Sequence, residues 1–117
     1  MATTAISADT LTATGYNLTD SADFTTMTSG SGNGVEFSYN ATDIVVLKND
    51  SGMAAVYTFK VPQPTNFSDK GVTVPDATVS VADGKTWLYK PSAIFKQSDG
   101  DVIVECDQTA KILVLRP

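Results

Sequence analysis

The chain has 117 residues, 42% of them hydrophobic, with thirteen acids against eight bases and a formal net charge of −5. That length suits one domain able to bury roughly two thirds of its unfolded surface without staples, and the apolar content excludes a disordered chain. The acidic balance offers no electrostatic footprint for nucleic acid or an anionic membrane, and the absence of histidine removes the commonest general base near neutral pH and the commonest transition-metal ligand.

Residues 1–9 are small, Thr-rich and unpatterned, and are expected to form a flexible arm ahead of a domain spanning 10–117. No basic segment followed by a long apolar run opens the sequence, so no signal peptide is expected and the chain is read as made in a cytoplasm. No run approaches the ~20 apolar residues of a membrane span. Thr10 to Tyr16 reads as a first strand. Asn17 to Gly34 is polar and rich in Ser, Thr and Gly, and reads as a long loop anchored by Phe24 and Met27. Val35, Phe37 and Tyr39 alternate as one face of a strand.

The most informative stretch is Asp43 to Val61. Ile44-Val45-Val46-Leu47 is apolar on both faces, as in a strand buried on both sides. Met53, Ala55, Tyr57, Phe59 and Val61 then share one face by alternation, with Thr58 and Lys60 on the other. The intervening Asn49-Asp50-Ser51-Gly52 has turn composition, and the whole is expected to be a β-hairpin. Pro62 to Gly71 reads as a loop. Val72 to Val74, Ala77 to Val81 and Lys85 to Lys90 read as strands, with a turn at Ala82-Asp83-Gly84. Pro91 to Phe95 reads as one helical turn. Asp101 to Cys106 and Lys111 to Leu115 are the final strands, after a tight turn at Ser98-Asp99-Gly100. Eight or nine short, regularly spaced strands without a long helix predict an all-β, single-domain sandwich or barrel.

Candidate chemistry is sparse. Gly30-Ser31-Gly32-Asn33-Gly34 lacks the helix and the Lys-Ser/Thr pair of a phosphate loop and reads as a surface loop. Asp99-Gly100-Asp101 and Asp83-Gly84 carry oxygens suited to calcium, but without the carboxylate spacing of a dedicated loop they read as turns. Glu36 and Glu105, the two glutamates, are expected on exposed strand faces. Cys106, the one cysteine, alternates with Val102 and Val104 and reads as a small core residue beside two acids rather than a nucleophile. Asn17, Asn40, Asn49 and Asn66 each begin a glycosylation pattern, given little weight without a signal peptide. Trp87 and Tyr89 share a strand face and with Phe95 could form a sugar-binding platform. Core or subunit-interface packing is the plainer reading.

Over its C-terminal two thirds the chain resembles the small capsid decoration, or cement, proteins of tailed bacteriophages. The similar segments are Val45-Val46-Leu47-Lys48-Asn49-Asp50-Ser51, Gly71 to Val81 with Gly84, Ile94 to Glu105, and the closing Ile112-Leu113-Val114-Leu115-Arg116. The resemblance implies a jelly-roll-like β-sandwich of about eight strands, located on the virion surface. It implies a homotrimer that clamps the major capsid protein, with no catalytic residue and no cofactor. The arm, through Ala2, Thr3, Thr4, Ala5 and Ile6, is then the candidate capsid contact. It would order by adding a strand to a partner sheet. Trp87, Tyr89 and Phe95 are the candidate oligomer or ligand surface. A carbohydrate-binding module and a tail or head-completion protein are the competing readings.

Overall fold

The computed structural model describes residues 3–10, 24–30, 32–62 and 75–116. Among the described residues ten strands follow in chain order: β1 (Thr3–Ala5), β2 (Asp9–Thr10), β3 (Thr25–Thr26), β4 (Gly34–Ser38), β5 (Ile44–Lys48), β6 (Ala55–Phe59), β7 (Ala77–Val81), β8 (Thr86–Tyr89), β9 (Asp101–Cys106) and β10 (Lys111–Arg116). A single 3-10 turn, Ala93–Phe95, lies between β8 and β9, where Ser92 caps it by accepting from the Ile94 amide. The strands form a sandwich of two sheets. One has the order β1-β4-β9-β6-β7, and the other β2-β10-β5-β8, with β3 also paired to β10. The β1–β4 and β2–β10 pairs are parallel and the rest antiparallel. The expected strand over Val72 to Val74, and residues 11–16 of the first expected strand, lie outside the described residues.

Period-two alternation builds the core. Ala55, Tyr57 and Phe59 on β6 and Val102, Val104 and Cys106 on β9 turn inward from one sheet, to meet Val45, Leu47, Ile112 and Val114 from the other. Burying each larger side chain contributes about 1.5–3 kcal/mol. Val46, Leu113 and Leu115 face the opposite side of β5 and β10 and are buried with Phe24. That second cluster explains why these two strands are apolar on both faces. Phe24 and Met27 are the anchors expected of their loop, and that loop contributes β3. The Tyr57 hydroxyl crosses the core. It lies 2.8 Å from the Lys111 carbonyl and 3.2 Å from that of Lys48, two residues paired across β10 and β5.

The hairpin expected over Asp43 to Val61 is not formed. β5 pairs with β10 and β8, whereas β6 pairs with β7 and β9, so the segment between them is an arch from one sheet to the other. The side chain of Asn49 shapes it. Asn49 is buried, and its Nδ2 donates to the carbonyls of Met53 and Val81 while its Oδ1 accepts from the amide and hydroxyl of Ser51. Gly84 donates its amide to the Asn49 carbonyl, and Asp83 accepts from the Gly52 amide. The arch is thereby fastened to the β7–β8 arch beside it. Met53, expected inward, is in the arch and 63% exposed.

The segment expected to be a free arm is laid down in part. β1 extends the first sheet and β2 the second, with Ile6 and Ala8 packed against the core between them. Ile6 also donates its amide to the Glu36 carbonyl. Residues 3–10 thus form a strap joining an edge of each sheet.

Candidate functional site

The three aromatics read as one surface are placed differently. Tyr89 stacks on Phe59 with ring centroids 4.4 Å apart, and Phe95 lies 5.6 Å from Phe59 and 6.3 Å from Tyr89. Phe95 is buried, and this cluster closes one side of the sandwich. Trp87 stays out of it, 49% exposed, beside Leu88 at 63%. Their strand, β8, is the outer strand of its sheet. Of the candidate capsid contacts, Thr3, Thr4 and Ala5 form β1 on the outer edge of the other sheet, and Ile6 turns toward the core. Ala2 lies outside the described residues.

The register that places Ser38 opposite Asp101 brings Glu36, Asp99 and Asp101 together, with carboxylate oxygens within 4.8 Å of one another. Such oxygens could hold a hard cation. Asp99 already accepts the Asp101 amide, which is the turn role expected of the Asp-Gly-Asp sequence. Glu105 accepts from the Gly32 amide. Asn49, one of the glycosylation patterns, has both amide protons engaged in the interior. Asn17 and Asn66 lie outside the described residues.

A surface depression of about 430 Å³ is lined by Gly30, Val56, Thr58, Glu105, Cys106 and Asp107. Cys106 is buried beneath it. Desolvation raises its pKa, as does neighbouring Asp107, so the thiol is unreactive at neutral pH. A thiol reagent such as Ellman's reagent should therefore label Cys106 only as fast as the domain opens. Labelling of the native protein at the rate of a free thiol would place Cys106 at the surface.

A second, polar depression of about 190 Å³ is lined by Ile6, Ser7, Ala8, Ser38 and Arg116. At its wall Arg116 makes a two-pronged contact with buried Asp43, Nε to Oδ1 at 2.9 Å and Nη2 to Oδ2 at 3.0 Å. This planar fork fixes the end of β10 to the turn before β5, a pairing no sequence motif announces.

Asp76 accepts from the Val61 amide at 2.8 Å and from Lys60 at 2.9 Å. Burial alone would raise its pKa, but these two hydrogen bonds prevail and hold it below the usual range. The Asp76 hydrogen bond in turn raises Lys60. A carboxyl depressed in the folded state stabilises the fold above its unfolded pKa, about 3.9, and that contribution is lost as pH falls through the folded value. Urea midpoints should fall on acidification below about pH 4. Asp76→Asn should remove part of that slope, and an unchanged slope would show that other carboxylates carry it.

No family model, curated protein or solved structure matches the chain.

Proposed function

We propose that this chain is a virion structural protein, a decoration protein that binds the outside of a tailed-phage capsid and stabilises it without catalysis. The proposal begins from the resemblance of its C-terminal two thirds. The observation that carries it furthest is the use made of the carboxylates. Asp43 fastens Arg116, Asp76 the Val61 amide, Asp83 the Gly52 amide, Glu105 the Gly32 amide and Asp107 the Val56 amide. Each ties a loop or a strand end to the sandwich, as suits a part that bears load.

In this reading the partner is the major capsid protein and the working form is a homotrimer, in which three weak contacts add to a firm attachment. β1 offers its outer edge for a capsid strand, so the contact involves Thr3, Thr4 and Ala5 as an edge rather than as a free arm. A glycan platform has less support, because Tyr89 and Phe95 are packed with Phe59 and Trp87 stands without them.

Co-sedimentation with expanded, undecorated capsids is the direct test, with light scattering on the free protein alongside. Saturable binding by a trimer is expected, weakened when residues 1–9 are deleted from a chain that still gives the circular dichroism of the full one. Absence of binding would overturn the proposal, and self-assembly into rings or tubes would point to a tail component instead.

A further inference from the structure

The pairing of β8 determines which of its backbone groups are used. Asn49 donates to the Lys85 carbonyl, and alternation along an antiparallel ladder makes Leu47–Trp87 and Val45–Tyr89 the next hydrogen-bonded pairs. The N–H and C=O groups of Thr86 and Leu88 therefore point away from β5, and no described strand lies on that side. Exposed Trp87 and Leu88 stand on this edge. Lysines surround it. Lys48 is paired with Thr86, and Lys85 and Lys90 bound the strand at its two ends. Lys48 on the neighbouring strand holds its Nζ over the Phe24 ring, so Lys85 and Lys90 are the two bases that flank this edge in a protein whose net charge is −5.

We propose that this edge docks an extended, acidic segment of another protein. The segment adds as a strand beyond β8, sets an apolar side chain beside Leu88 and directs carboxylates to the flanking lysines. Its backbone bonds to Thr86 and Leu88 supply affinity, and the charges supply selectivity. Lys90 already donates to the Ala41 carbonyl at 2.5 Å, and its remaining ammonium protons are available to a carboxylate. A second copy fits poorly. Antiparallel pairing of β8 with itself brings the Lys85 end of one copy to the Lys90 end of the other, and parallel pairing brings like ends together; lysines gathered so oppose the pairing. The inference goes beyond the capsid reading, since it concerns a different edge and holds whatever particle or protein supplies the segment.

Trp87 is the chain's one tryptophan, so its emission reports on this edge. The probe is a blocked synthetic peptide of about ten residues, alternating Val and Thr, with glutamates flanking the centre, compared with the same peptide carrying lysines in their place. The Glu-flanked peptide should shift Trp87 emission to the blue in a saturable titration that weakens as salt is raised. The Lys-flanked peptide should bind at least about tenfold more weakly. Leu88→Pro removes an outward N–H at a position where an edge strand tolerates proline, and should weaken binding by a similar factor. The double change Lys85→Glu and Lys90→Glu leaves the backbone intact and should reverse the preference between the peptides. Equal binding of both peptides, absence of any titration, or full affinity in folded Leu88→Pro protein would overturn the proposal. A dimer seen by light scattering and lost in the same variant would assign the edge to a second copy instead.

Discussion

Replacing Tyr57 by alanine should lower the unfolding free energy by about 3–5 kcal/mol, the range for removing a large buried aromatic. Ordinary domains have only 5–15 kcal/mol in all, so the variant is expected to sit close to unfolding. Tyr57 is fully buried, and its truncation empties the middle of the core between β6 and β10. Burial also raises the pKa of its phenol, with contributions from Cys106 and Asp50, so the hydroxyl stays a donor throughout the neutral range. Tyr57→Phe separates the two roles. It keeps the ring and removes only the hydroxyl's bonds to the Lys111 and Lys48 carbonyls, and should cost about 1 kcal/mol. Urea denaturation of both variants measures the difference. A Tyr57→Ala loss no larger than that of Tyr57→Phe would mean the ring contributes little to packing.

Gly34→Ala should be nearly as damaging, at about 3 kcal/mol. Gly34 has a φ of 151°, and a Cβ built on it overlaps the Val104 carbonyl. The overlap cannot be relieved by a small shift, because β4 is held between β9 and β1. Gly84 provides the control. Its φ is also positive, at 80°, but nothing lies within 4 Å of the added carbon. Gly84→Ala should cost only about 1–2 kcal/mol, the penalty of the backbone conformation alone. Similar thermal melts for the two variants would remove the steric part of this argument.

Which side chains go inward was readable from the residues. Alternation in 55–59 and 101–106 named the inner faces of β6 and β9, and the doubly apolar run at 44–47 announced a strand covered on both sides. Which strands become neighbours was not readable. Alternation specifies a face, and an arch and a hairpin satisfy the same faces; the composition after Leu47 fits a hairpin, whereas the bonds of Asn49 to Met53 and Val81 hold an arch to the other sheet. β1 escaped notice because its pairing with β4 uses backbone groups, to which the side chains of Thr3, Thr4 and Ala5 give no clue. Trp87 and Tyr89 were correctly placed on one strand face, but the contact of Phe95 with Tyr89, which separates their fates, depends on a turn folding back from later in the chain. Glu36 and Asp101 meet through strand register, which local composition does not encode.

The strap has a consequence for how the protein comes into being. Asp9 is paired with Leu115, roughly a hundred residues further along, and at about 5–20 residues per second those partners emerge roughly 5–20 s apart during synthesis. β10 also lies between β5 and the β2 and β3 segments, so the second sheet lacks an inner member until then. Until β10 is made, β5 has a ladder partner on one side only, β8. Assembly of this sheet is therefore a late event, and a ribosome paused ahead of Lys111 would hold a nascent chain in which β2 and β3 lack their partner strand and β5 has only β8.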